Sequence, residues 1–260
     1  MSIITLTSDW GYRDHYLAAV KGTILRYLPD ATIVDIGHHI KPFDLVEASF
    51  IIRNSYPSFP EQTIHIIGML TEASLENPHI ALFHNNHYFI GSDNGIFSLI
   101  FDTKPSQIVE LDLLQDSDYF TFPERDVFAK AASHIANGTP LEKMGNVREN
   151  LCHRLNLQPV TDAFVIKGAV IYIDNYENAI TNINKELFKK IGKGRRFVIS
   201  FKHAGNEIEE IHTSYLDVLE GEKLALFGTT GFLEIAINQS NAASLLGLRL
   251  YDVIRIEFFD

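Results

Sequence analysis

The sequence predicts an α/β N-terminal domain, a mostly parallel, Rossmann-like three-layer sheet, followed by a C-terminal antiparallel β-barrel domain. Three observations carry that expectation. Short apolar runs alternate with helical patterns through the first half, as in a parallel sheet covered by helices. The second half is β-rich, with short strands separated by turn signals. Between them, "NLQPVTD" (Asn156–Asp162) is polar, contains a proline and reads as a linker. The expected domains are residues 1–158 and 163–260.

The elements follow in order. Ile3–Thr7 is a strand. His15–Leu28 has apolar residues at helical spacing. Thr32–Ile36 is the second strand, Leu45–Tyr56 the second helix and Thr63–Leu70 the third strand. Ile80–Phe83 and Tyr88–Gly91 flank "HNNH" and read as a hairpin with a polar tip. Asn94–Phe101 is a short helix, Ile108–Leu111 a strand, and Val127–Asn137 a helix stopped by Gly138. In the second domain, strands are expected at 163–174, 196–202, 207–214, 223–228, 232–238 and 252–259. Turns such as "HAGN" (His203–Asn206) and "LEGE" (Leu219–Glu222) separate them.

Composition narrows the function. Apolar residues make up 46% of the chain and charged residues 21%, ordinary for a globular protein. A net charge of −11 argues against nucleic acid or an anionic membrane as the main partner, since both reward Lys and Arg. The single cysteine, Cys152, excludes an internal disulfide and a cysteine-rich zinc site. "MSIITLTSDWG" lacks a basic region followed by a long apolar run, and no stretch approaches the roughly 20 apolar residues that span a bilayer. A cytoplasmic location is expected.

Several motifs carry polar chemistry. "TSDWGYRD" (Thr7–Asp14) follows the first strand, where open α/β sheets hold ligands. Asp9 there can accept two hydrogen bonds from a ribose diol, or simply cap the next helix. The glycine spacing is not that of a phosphate loop. His38 and His39 are neighbours on an extended segment and point opposite ways, which disfavours a metal site. "GSDNGIF" (Gly91–Phe97) has turn chemistry. "IDNYENAITNI" (Ile173–Ile183) sets Asp174 and Asn178 around Tyr176, suited to an amine, a base edge and a ring face, or to a capped β-turn. "FGTTGFLEIAINQSNAASLLG" (Phe227–Gly247) reads as a turn, a strand and a short helix.

Together, "TLTSDWGYRDHYLAAVKGTI", "DIGHHIKPFDLVEASF", "YFIGSDNGIF", "RDVFAKAASHIANG", "GAVIYIDNYENAITNI" and "LALFGTTGFLEIAINQSNAASLLGL" resemble the S-adenosylmethionine hydroxide adenosyltransferase family, the relatives of the fluorinase and chlorinase. The likeness runs from Ile3 to about Val253. It implies an α/β domain and a β-barrel, a homotrimer, and S-adenosylmethionine or an adenosine-like molecule as ligand, with no metal or cofactor. It gives Asp9 the ribose hydroxyls, and Asp14 and Asp174 the methionine end. Phe43 becomes a wall beside the ribose, Tyr176 a stacking partner for adenine, and Asn178 a partner for its edge. Thr229 and Thr230 fall at the methionine moiety, and the backbone at Asn238 completes the adenine site. A sulfonium cation suits such an acidic, aromatic pocket.

The same resemblance locates a departure. Family members use an Asp, an Arg and a His to orient and deprotonate the water that attacks the ribose 5′ carbon. Aligned on His65, the Asp falls on Leu70 and the Arg on Asn77. The family F-H-G-R-D is "FPERD" (Phe122–Asp126) here, so the His becomes Pro123 and the Gly becomes Glu124. Losing a general base typically costs about 10²–10⁴ in rate. Glu72, Glu76, His79 and Glu124 lie close in sequence to the changed positions. Three readings stand open: hydrolysis to adenosine and methionine, non-catalytic binding of S-adenosylmethionine or a nucleoside, and an enzyme acting on a different nucleoside.

Overall fold

A computed structural model describes residues 2–115, 117–202 and 205–260. The chain falls into two compact units, residues 1–155 and 156–260.

The first unit is built on strands β1 (Ile3–Ser8), β2 (Thr32–Gly37), β3 (Ile64–Gly68), β4 (His79–His84), β5 (His87–Ser92), β6 (Gln107–Leu111) and β7 (Gly145–Val147). Their order in the sheet is β2-β1-β3-β5-β4-β6-β7. The β2, β1, β3 and β5 strands run parallel, and β4, β6 and β7 add antiparallel pairings. Among the described residues, the α-helices α1 (Tyr16–Tyr27), α2 (Leu45–Ser55), α3 (Ile96–Ile100) and α4 (Ala129–Ala136) accompany them. The fully buried runs of β1 and β3 require cover on both faces. One face packs Ile4, Leu6, Ile64 and Ile66 against Leu17, Val20 and Ile24 of α1 and against Phe128 and Ala132. The other packs Ile67, Leu82 and Phe89 against Leu45, Ala48 and Ile52 of α2 and against α3. Truncating Phe89 or Phe128, both fully buried, to Ala would cost about 3–5 kcal/mol.

This topology fixes where a ligand can sit. From β1 the chain crosses through α1 to β2 on one side. It then returns through α2 to β3 on the other. The carboxyl ends of β1 and β3, paired at Ser8 and Gly68, therefore open a crevice at the switch point.

The second unit contains β8 (Val160–Thr161), β9 (Val165–Ile173), β10 (Ala179–Asn184), β11 (Arg196–Phe201), β12 (Glu207–Ile208), β13 (Lys223–Phe227), β14 (Phe232–Ile237) and β15 (Val253–Phe259). The order is β12-β11-β15-β9-β10-β14-β13, with β8 beside β9, and these strands pair antiparallel among the described residues. The His212 N–H donates to Ala225 O of β13 at 2.8 Å, so the segment after β12 nearly closes the sheet into a barrel. Ile166, Val170, Ile199, Leu233, Ile235 and Ile256 fill it.

Some details differ from the expected elements. The strand expected at 207–214 is limited to Glu207–Ile208. Strand β10 and helix α5 (Lys185–Gly192) were not anticipated. Asn184 starts α5, its Oδ1 accepting from the Leu187 N–H at 2.8 Å, which is N-cap chemistry. The expected helix at 127–137 opens earlier, with a π-helical turn over Glu124–Phe128. In the "HAGN" turn, His203 and Ala204 lie outside the described residues. No helix among the described residues is long and apolar enough to cross a membrane.

Candidate functional site

A cavity of about 510 Å³ opens at the β1–β3 switch point, wholly within the first unit. Asp9 and Trp10 reach it from the end of β1, and Phe43 from the loop after β2. Gly68, Leu70, Thr71, Glu72 and Asn77 come from the end of β3, Asn94 from the end of β5, and Glu124 from the π turn.

The loop after β1 is tied to the loop after β2. Gly11 N–H donates to His38 O at 2.7 Å. Phe43 N–H donates to Asp9 Oδ2 at 2.9 Å, leaving Oδ1 without a hydrogen bond among the described residues. Phe43 holds φ +69° and is 70% exposed at the cavity edge. Trp10 packs over Gly68 so closely that an added Cβ would lie 2.4 Å from its ring. Its other neighbours are His38, stacked at 6.3 Å, and Phe122, edge-on at 5.8 Å.

His38 is a strut rather than a ligand. It is buried, with Nδ1 2.6 Å from Ser8 Oγ and Nε2 3.3 Å from Asp35 Oδ1. Burial holds its pKa below the ordinary value, which favours the neutral ring. His39 is exposed. No group of three or more His, Cys, Asp or Glu among the described residues gathers to hold a metal ion.

The turn after β3 is clamped by residues that turn chemistry alone did not mark as functional. Asn94 Nδ2 donates to Met69 O at 2.7 Å and to Leu70 O at 3.1 Å, while its Oδ1 caps the Ile96 N–H. His79 Nε2 lies 2.7 Å from Thr71 O, placed to donate to it. Thr71 Oγ1 donates to Glu124 Oε1 at 2.5 Å. Leu70 takes φ +47° and puts an apolar, half-exposed side chain into the cavity. Asn77 lines it too, its N–H and O engaged with Ser74 and Ser92. Pro123 is buried just before Glu124.

Of Glu72, Glu76, His79 and Glu124, the four residues near Leu70, Asn77 and Pro123 in sequence, Glu124 is the buried carboxyl in the cavity. Burial pushes its pKa up to about 7, and the Asp9 charge adds to the rise, against the Thr71 hydrogen bond. Glu72 lines the cavity but is exposed, Glu76 is exposed outside its lining, and His79 is spent on Thr71. Asp14 is exposed ahead of α1 and does not line the cavity. Arg154 does line it. Its Nε–H donates to Asn94 O at 3.0 Å, and its stem fills the space over Gly95 that a Cβ would occupy. The sequence offered no signal for Arg154. For Asn94 the sequence offers only the turn chemistry of Asp93-Asn94-Gly95.

In the second unit, Asp174 organises its own turn. Oδ1 accepts from the N–H groups of Tyr176 (2.9 Å) and Asn178 (2.8 Å), and Oδ2 from Asn178 Nδ2 at 3.0 Å. Tyr176 is 74% exposed and presents an open ring face. Thr229 is exposed, and Thr230 half-buried, in the turn between β13 and β14. Asn238 is buried, its Nδ2 donating to Val218 O at 2.9 Å.

The family model described as the SAM hydroxide adenosyltransferase N-terminal domain matches residues 4–145, and that of the C-terminal domain matches residues 168–255. The chain is 29% identical to the (R)-S-adenosyl-L-methionine hydrolase of Methanocaldococcus jannaschii, over 98% of this chain and 96% of that protein. It is 28% identical to the one of Thermus thermophilus, over 96% and 97%. It is 26% identical to a fluorinase of Nocardia brasiliensis, over 94% and 91%. Among solved structures it resembles an uncharacterized conserved protein from Thermotoga maritima, with a TM-score of 0.88 and 28% identity over 98% and 99% of the two chains.

Proposed function

The chain belongs to the S-adenosylmethionine hydroxide adenosyltransferase family, and from that premise we propose that its switch-point cavity binds S-adenosylmethionine or adenosine through the ribose. The observation that carries this reading is Asp9. It stands at the carboxyl end of β1, lines the cavity, and has one carboxylate oxygen anchored by Phe43 and the other without a hydrogen bond among the described residues. A carboxylate so held accepts ribose hydroxyls without reorganising. Trp10, Tyr16, Phe43 and Phe122 add aromatic surface, which favours a sulfonium cation. The hydrolase and fluorinase names of the relatives support the same ligand class. In the second unit, Tyr176 for stacking, Asn178 for the adenine edge, and Asp174, Thr229, Thr230 and the Asn238 backbone belong to this reading, as does a homotrimer.

Leu70, Asn77 and Pro123 stand where the family catalytic set falls, and none of them takes a proton from water. This favours a second reading, a binding protein that leaves S-adenosylmethionine intact. Isothermal titration with S-adenosylmethionine and with adenosine, followed by chromatography of the cell contents, separates the readings. Heat of binding with intact S-adenosylmethionine marks a binder, and release of adenosine and methionine marks a hydrolase. An absence of binding by either compound overturns the assigned cavity.

A further inference from the structure

We propose that Glu124, held by Thr71 in the wall of the cavity, is the general base of this protein, taking over the work of the carboxylate that Leu70 replaces. The inference rests on the S-adenosylmethionine reading above. Three observations lead to it. Glu124 is 3% exposed and borders the same cavity as Asp9, so the group lies in the cavity wall and not at the protein surface. Its partner Thr71 directly follows Leu70, so the hydrogen bond of 2.5 Å sets the carboxyl against the very turn where the family Asp falls. That turn is fixed from two other sides, by Asn94 on Met69 O and Leu70 O and by His79 on Thr71 O. A catalytic carboxyl needs this kind of support to hold its geometry.

The local sequence explains how the group arrives there. Pro123 gives up the family histidine and, with φ −66°, leads the chain into the π turn that begins at Glu124. Such turns often mark functional positions in helices. The following pair is locked away from the cavity: Arg125 forms a two-pronged bond to Asp126 at 2.6 and 2.7 Å, and Ser117 Oγ donates to Asp126 Oδ2 at 2.6 Å. Of the Glu-Arg-Asp run, only Glu124 lines the cavity.

The step balances. A water oxygen bonds to the ribose C5′ as the C5′–S bond breaks. The electron pair of that bond stays on sulfur, turning the sulfonium into the neutral thioether of methionine. The water proton passes to the Glu124 carboxylate, and adenosine is the second product. The charged groups that border the same cavity are Asp9 after β1, Glu72 after β3 and Arg154. Tyr16 of α1 is the titratable neighbour. The base form is populated above the titration of Glu124, so kcat/KM should fall as pH drops through about 7.

The test compares wild type, Glu124→Gln, Glu124→Asp and Glu76→Gln. Dissociation constants for adenosine come from titration, and adenosine release from S-adenosylmethionine comes from chromatography across a pH series. Gln keeps an oxygen for the Thr71 hydroxyl, so the fold and adenosine binding are expected to persist. The expected result is a loss of about 10²–10⁴ in kcat for Glu124→Gln. Its acid limb should be absent, Glu124→Asp should recover part of the rate, and Glu76→Gln should match wild type. Unchanged turnover in Glu124→Gln, or a wild type that binds S-adenosylmethionine and leaves it intact, overturns the base assignment while binding stands. A wild type that binds neither compound overturns the ligand reading and this inference with it. Should Glu124→Gln fail to fold, Glu124→Asp and the wild-type acid limb decide.

Discussion

The Phe43 N–H donates to Asp9 Oδ2 across 2.9 Å and so joins the loop after β2 to the loop after β1. Phe43 pays for this position with φ +69°, a left-handed conformation that costs a non-glycine residue about 1–2 kcal/mol. The bond does two things at once. It fixes an aromatic edge at the cavity, and it anchors one oxygen of a carboxylate that lines the same cavity.

Asp9→Asn is expected to weaken adenosine binding by about 10- to 100-fold, the loss of a hydrogen bond to a charged acceptor. The amide oxygen can still accept from Phe43, so stability should change little. Phe43→Gly should shift unfolding free energy by less than about 1 kcal/mol, because relief at positive φ offsets the added freedom of the unfolded chain. Its adenosine affinity should fall with the lost ring. Titration calorimetry and chemical denaturation read these separately. Wild-type affinity in Asp9→Asn would remove Asp9 from the ribose role.

Trp10 supplies a direct probe, since it is the single tryptophan of the chain and lines the cavity. Ligand entry should change its fluorescence in a saturable way. Gly68→Ala puts a methyl group 2.4 Å from the indole as it now sits, so the ring must move. The expected costs are about 1–3 kcal/mol of stability and a shifted emission maximum in the free protein. Gly68→Ala with a wild-type spectrum and midpoint would show that the indole is not held by this contact.

The main architecture was legible because burial patterns announce it. Strands β1, β2 and β3 and helices α1 and α2 follow from apolar runs and periodicity, and the Asn85–Asn86 hairpin tip from its turn residues, both at positive φ. Strand β10 was hidden because "AITNIN" carries buried polar residues. Asn182 there is satisfied by Ala169 N–H and Leu157 O, partners no local pattern reveals. Helix α5 was hidden by its length: Leu187, Phe188 and Ile191 make less than two turns of apolar face. In the site, the strand-end position of Asp9 could be read from sequence. The link between Thr71 and Glu124 could not, because 53 residues separate them.

Glu124 should also leave a mark on stability. Its carboxyl titrates near 4.5 in an unfolded chain and at about 7 here, so between those pH values the folded state binds the extra proton. Stability from this group is therefore full below about pH 4.5 and is lost as pH rises through 7, by up to about 3 kcal/mol. Buried His65, with its pKa lowered to about 3, acts in the opposite sense and loses stability as pH falls below 6.5. The whole-protein curve mixes these with other shifted groups, His38 and Glu234 among them. The difference between wild type and Glu124→Gln isolates the carboxyl: the variant should gain on wild type as pH goes from 5 to 8 in urea denaturation. Parallel curves would place Glu124 in a more solvated setting than the cavity provides.

In the second unit, Glu234 of β14 is 6% exposed and receives the Tyr215 hydroxyl on Oε1. Gly228 lies against its other side, where an added Cβ would come within 2.8 Å of Oε2. Burial raises the Glu234 pKa, the Tyr215 bond opposes that rise, and the Asp174 charge adds to it. Tyr215→Phe removes the donor and leaves a buried carboxylate short of a partner, which should cost about 1–3 kcal/mol. The loss should shrink as pH falls from 8 toward 5, because the raised pKa moves protonation, which relieves the unpaired charge, toward higher pH. Glu234→Gln added to Tyr215→Phe should recover part of it, since the charge is then gone. Equal losses at both pH values, with no recovery in the double variant, would mean that Tyr215 acts through packing of its ring and not through Glu234.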